Sequence, residues 1–260
     1  MKLAISGKGG VGKTTLAALL AQVYADQGRE VLAVDADPSP CLAGALGFPL
    51  ELRNQLHPIA EMDELIEERT GAKPGTLGGF FTLNPRVDDI PERFSAVHRG
   101  VRLLEMGSVE TGGSGCICPE SAMLKTLFTH LLFRKDDILL LDMYAGVEHL
   151  GRATADFVDA LLIVVEPTRR SLTTAVQIKK LAADIGLTRL WLVGSKVQGD
   201  DDIAFLESET PGISLLGNLP ADFAVQEADR LGIAVYDYVP KLRHAAEAMA
   251  RTLIGEVIGT

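Results

Sequence analysis

The chain has 260 residues, 47% of them hydrophobic and 23% charged, which suits an ordinary soluble globular protein with one substantial core. Its 35 Asp and Glu outweigh 25 Lys and Arg for a net charge of −10, a balance that disfavours an extended nucleic-acid surface. The apolar runs have strand length, too short for a membrane span or a secretory leader, and there are three cysteines (Cys41, Cys116 and Cys118). A disulfide framework is therefore not expected, and reduced thiols in the cytoplasm are.

Seven apolar, β-rich runs follow one another along the chain: residues 2–6, 30–35, 101–107, 137–142, 160–166, 189–195 and 213–218. Several are apolar almost without interruption, as parallel strands covered on both faces must be. Helical patterns lie between them, including KTTLAALLAQVYADQG (13–28), SLTTAVQIKKLAADIG (171–186) and ADFAVQEADRLG (221–232). The last two end in a stop-signal glycine, Gly186 or Gly232. This alternation predicts an α/β fold: one doubly wound, mainly parallel sheet with helices on both faces, forming a single domain over 1–260. EMDELIEERTG (61–71) reads as a surface helix with a solvated acidic face, and GAKPGTLGGF (71–80) as a loop.

GKGGVGKTT, residues 7–15, follows the first strand and opens the first helix, matching G-x-x-x-x-G-K-[ST] in its required context. Gly7, Gly9, Gly10 and Gly12 let backbone N–H groups approach phosphate oxygens, and the helix N-terminus adds its dipole. Val11 lies within that cradle. Lys13 is expected to reach the β- and γ-phosphates, Thr14 to ligate Mg²⁺ and Thr15 to touch the α-phosphate. The segment is a nucleotide site, for ATP or ADP with Mg²⁺.

The second lysine, Lys8, makes this loop resemble the deviant Walker A loop of the MinD, ParA, ArsA and nitrogenase-iron-protein class of P-loop NTPases. The resemblance implies that Lys8 crosses a face-to-face homodimer to the partner's phosphates, where it stabilises charge. It also implies two acidic motifs, found here as VDADP (34–38) and LLLDMYAG (139–146). Asp35 is then a structural or Mg²⁺-shell carboxylate, Asp37 orients the attacking water, and Asp142 holds Mg²⁺ through water. Where the class often carries Asn-Lys beside the base, this chain has Ser195-Lys196, and GNLPAD (217–222) resembles the class's base loop with Pro220. Serine lacks the two-point contact of a carboxamide, so ATP is the expected nucleotide but purine selectivity stays open.

TGGSGCICPES (111–121) places Cys116 and Cys118 one residue apart on a glycine-rich approach. In extended backbone such residues project to one side, roughly 6.5–7 Å apart. The helical stripe that follows starts at Pro119, so Cys118 falls near a helix N-terminus, where the dipole favours thiolate. A tetrahedral site wants four ligands, and none of the five histidines (57, 98, 130, 149 and 244) is near in sequence. One Cys pair from each chain of a dimer would supply four sulfurs and bind one metal ion on the two-fold axis. Cys41 is expected to pack in the helix after the first acidic motif.

With the C-x-C loop followed by LDMYAGVEHLGRATA and VVEPTRRSLTT, nearly the whole chain resembles the CooC-type accessory ATPases. That resemblance implies a nucleotide-controlled dimer whose interfacial cysteines bind nickel or zinc, with ATP hydrolysis coupled to nickel insertion. The client enzyme it implies is carbon monoxide dehydrogenase or acetyl-CoA synthase. Two alternatives stand beside it. A MinD- or ParA-like positioning switch would bind membrane or DNA, but the closing helix (240–260) lacks large interfacial aromatics, so neither partner is expected. An iron–sulfur electron donor would place its cysteines on separate loops rather than within three residues.

Overall fold

The computed structural model describes residues 1–75, 80–107, 118–134, 138–144 and 157–257. Among these residues eight strands form one sheet: β1 (Lys2–Gly7), β2 (Val31–Ala36), β3 (Ala96–His98), β4 (Val101–Glu105), β5 (Ile138–Met143), β6 (Ala160–Val165), β7 (Leu190–Val197) and β8 (Ser214–Pro220). Their order across the sheet is β3-β4-β2-β5-β1-β6-β7-β8. Every pairing is parallel except β3 with β4. All seven expected strands are present with ends shifted by one or two residues. The eighth, β3, is a three-residue antiparallel edge that a period-based reading passes over.

β1, β2, β5 and β6 are buried along nearly their whole length, the burial pattern of strands covered on both faces. One face is covered by α1 (Lys13–Asp26), α2 (Leu42–Ala45), α3 (Leu50–Arg53) and, later in the chain, by the C-terminal helices described below. The other is covered by α4 (Asp63–Thr70), α5 (Ile90–Arg93), α6 (Pro119–Phe133), α7 (Arg169–Ile185) and α8 (Asp200–Glu209). The C-terminal helices are α9 (Ala224–Leu231), α10 (Val235–Tyr238) and α11 (Pro240–Val257).

α1 is unlike its neighbours, because every residue from Leu16 to Tyr24 is buried. It packs under α11 and α2 against the sheet, so it has no solvent face along those turns. Gly71, Gly186 and Gly232 adopt the left-handed conformation and terminate α4, α7 and α9. The acidic surface helix is α4, and of the expected loop at 71–80 residues 76–79 lie outside the described residues.

Candidate nucleotide and metal site

β1 delivers the chain to the carboxyl edge of the sheet at Gly7, and α1 starts at Lys13. Gly7 has φ +151°, and a Cβ there would lie 2.4 Å from the Val164 carbonyl of β6, so only glycine fits. Gly12 has φ +101°, and a Cβ there would come within 3.0 Å of Ser195 Oγ. No side chain caps the N-terminus of α1, and no acidic residue sits in its first turn. Its free N–H groups and dipole therefore face the loop, which is the condition for anion binding.

Lys13 is only 7% exposed, and its Nζ donates to the Lys8 carbonyl at 3.4 Å. The Val11 N–H donates to the same carbonyl, also at 3.4 Å. Both bonds are long, so a phosphate oxygen could take over either donor at little cost. Lys8, Gly9 and Gly10 are exposed, Val11 is buried, and Thr14 and Thr15 are half-buried.

Asp35, next to last in β2, is fully buried. Its Oδ1 accepts the Asp37 N–H (3.1 Å), and its Oδ2 accepts those of Cys41 (2.8 Å) and Leu42 (2.9 Å). Burial raises its pKa, with the three N–H donors opposing. These bonds fold the 37–42 turn, so of its two expected roles the geometry favours the structural one. Asp142 differs. It is 2% exposed, and neither oxygen makes a well-formed hydrogen bond among the described residues. Burial pushes its pKa up to about 7, Asp35 adds to this, and the nearby Thr14 hydroxyl and Lys13 ammonium pull it back. A buried carboxylate with no well-formed hydrogen bond among the described residues, beside a hydroxyl, fits a hard divalent cation. Asp37 is half-buried, and its Oδ1 accepts the Ser39 N–H at 2.9 Å.

The strand register aligns Glu105, Asp35 and Asp142 across β4, β2 and β5. Burial, then Asp35 and Glu61, raise the Glu105 pKa to about 7. Glu105 was not expected at the site, although it ends its strand and the two aspartates stand next to last in theirs. Cys41 is also placed differently from expectation. It is exposed, precedes α2 and lies with its Sγ 3.5 Å from Thr14 Oγ1. The bond from its N–H to Asp35 turns it back towards the phosphate loop.

Next to the loop lies a cavity of about 730 Å³, lined by Gly12, Thr15, Ser195, Lys196, Pro220 and Phe223 among others. Its volume is that of a small-molecule site. The expected residues Ser195, Lys196 and Pro220 meet there. Phe223, unanticipated, stands 90% exposed at its rim. Lys196 Nζ donates to the Gly10 carbonyl at 2.8 Å and to the Glu166 carboxylate.

Cys118 is the residue before α6, with Pro119 at the first helical position as expected. It is buried, and its Sγ donates to Ser121 Oγ at 3.1 Å. Burial pushes its thiol pKa up, with the Ser121 contacts opposing. α6 then runs through the core by way of Met123, Leu127 and Leu131. Cys116 lies outside the described residues, as do 108–117 and 145–156. Among the described residues no three metal-ligating side chains cluster, and no helix is long and apolar enough to cross a membrane.

Residues 2–251 match the CobQ/CobB/MinD/ParA nucleotide binding domain. The chain is 46% identical over 257 residues to the carbon monoxide dehydrogenase accessory protein CooC of Rhodospirillum rubrum, covering 99% of this chain and 97% of that one. It is 44% identical over 234 residues to an ATP-binding protein of Methanocaldococcus jannaschii, covering 89% and 90%. The fold is similar to that of a ParA family ATPase from Chlorobium tepidum (TM-score 0.70, 19% identity, covering 96% of this chain and 98% of that one). A phosphate loop at the end of β1, an uncapped helix behind it and a buried carboxylate beside Thr14 are thus found in a chain that belongs to the CobQ/CobB/MinD/ParA nucleotide-binding family, in its CooC-type branch, and is a P-loop ATPase.

Proposed function

We propose that the protein is a nucleotide-controlled homodimer that binds nickel through Cys116 and Cys118 of both chains and assists its insertion into carbon monoxide dehydrogenase or acetyl-CoA synthase. What carries the reading is the nearly full-length similarity to CooC, in a chain whose Cys118 sits at the mouth of a core helix.

The residues divide the work. The backbone of Gly7, Gly9, Gly10, Val11 and Gly12 cradles the phosphates, and Lys13 exchanges the Lys8 carbonyl for phosphate oxygens. Thr14 and Asp142 hold Mg²⁺, which neutralises phosphate charge when bound, and Asp35 keeps the 37–42 turn folded. Asp37 orients the water that attacks the γ-phosphorus as the bond to ADP breaks. Lys8, exposed, reaches the partner's phosphates and stabilises the charge that develops there. Thr15 contacts the α-phosphate, while Lys196 and Pro220 flank the base.

The cargo is tied to this machinery by chain order, because Cys118 directly precedes α6, after which the chain leads into β5, which carries Asp142 near its end. Metal and nucleotide must then bias each other's binding reciprocally. Native mass spectrometry during a Ni²⁺ titration, with and without Mg-nucleotide, tests the reading. One nickel per dimer, lost when both Cys116 and Cys118 become Ala, is the expected result. A nucleotide-dependent dimer whose metal content ignores those cysteines would overturn the metal half. Zinc must be excluded from the buffers, since it competes well for thiolates.

A further inference from the structure

Lys196 adopts φ +57°, a left-handed conformation that few non-glycine residues take. It sits where the β7–β8 ladder slips register between Ser195 and Val197. Such an irregularity turns a side chain out of the alternating pattern of its strand. Here it turns the lysine, whose ammonium donates to the Gly10 carbonyl of the phosphate loop and to Glu166.

Glu166 is held in its turn. It follows the last residue of β6, and its N–H donates to Ser171 Oγ at 3.0 Å. Its carbonyl accepts the Thr168 N–H at 2.7 Å, and the Thr168 hydroxyl caps α7 by accepting the Ser171 N–H. The Glu166–Thr168 turn between β6 and α7, with Ser171 in the first turn of α7, thus fixes one carboxylate next to one lysine.

We propose that Glu166 is a positioning residue for nucleotide binding, acting through Lys196. A peptide unit is planar and trans, so its C=O and N–H point opposite ways. Anchoring the Gly10 carbonyl to Lys196 therefore aims the Val11 N–H into the loop, where it now meets only the distant Lys8 carbonyl. Without Glu166, the Lys196 ammonium is released to solvent, and the Gly10–Val11 peptide loses its orientation. Lys196 is half-exposed, so the Glu166 pair adds little to global stability, and its effect is local to the loop.

The inference rests on the phosphate-loop reading, and the experiment separates the two. Mg-ATP binding by calorimetry, steady-state kinetics and thermal melting are measured for the full chain and for Glu166→Gln, Lys196→Met and the double variant. Glu166→Gln is expected to raise KM and the nucleotide Kd about tenfold, with kcat and Tm nearly unchanged. The double variant is expected to be no worse than Lys196→Met alone, and Lys196→Arg is expected to recover most of the affinity. Unchanged Kd and KM in Glu166→Gln, or losses that add in the double variant, would overturn the role of Glu166. Wild-type protein that fails to bind Mg-ATP would overturn the phosphate-loop reading together with it.

Discussion

Asp142 is buried next to Asp35, and among the described residues neither of its oxygens makes a well-formed hydrogen bond, so its charge is a cost to the fold. Replacing it with Asn removes that charge at nearly constant volume. Asp142→Asn is expected to melt at or above the wild-type temperature while losing Mg²⁺-dependent ATPase activity, a separation that a thermal melt and a phosphate-release assay would display together. Gly7→Ala is expected to lower stability instead. Its methyl group would collide with the Val164 carbonyl at an unfavourable φ, costing about 2 kcal/mol or more in urea unfolding. Lys8 is exposed, so Lys8→Ala is expected to keep the wild-type melt and bind nucleotide. Its hydrolysis should fall about a hundredfold or more, the range of a charge-stabilising donor, as measured by turnover at saturating ATP.

Between elements, the clearest electrostatic link is the one from α4 to the start of α5. Arg69 grips both carboxylate oxygens of Asp89, at 2.9 and 2.8 Å, and Arg93 adds a third contact at 2.7 Å. The two guanidinium groups hold the Asp89 pKa well below the usual carboxylate range. A carboxylate whose folded pKa is depressed contributes stability above its unfolded value of about 3.9, and that contribution is lost as pH falls towards the folded pKa. Asp89→Asn is thus expected to cost about 1 kcal/mol at pH 7 and progressively less as pH falls from about 4 through the folded value, which denaturant midpoints at several pH values would reveal. Most elements were legible in the chain because burial on both faces leaves unbroken apolar runs, as in ILLLDM and ALLIVV. β3 was not, since three residues with an exposed Val97 at their centre carry no period. The phosphate loop was legible because glycine spacing is dictated by backbone geometry. Glu166 and Glu105 were hidden, as their importance arises only from strands that meet in space. Cys41 was misplaced for the same reason: a carboxylate six residues earlier bends its backbone.

For the whole molecule, the sheet gathers the ends of β4, β2 and β5 into one anionic, cation-seeking edge beside the cationic loop that follows β1. Nucleotide and Mg²⁺ together complete what neither side satisfies alone. At a hundredfold excess over Kd, Mg-ADP should stabilise the folded chain by about 2.7 kcal/mol, seen as a concentration-dependent rise in Tm that EDTA largely reverses. The helix behind the loop shares in this arrangement differently. With no solvent face from Leu16 to Tyr24, α1 has no room to fray or tilt, and its amides should be among the slowest in the chain to exchange with heavy water. A dipole mounted so rigidly acts as a fixed electrode: it meets each arriving phosphate at the same strength. The work of each turnover must then be done by the parts that move around it.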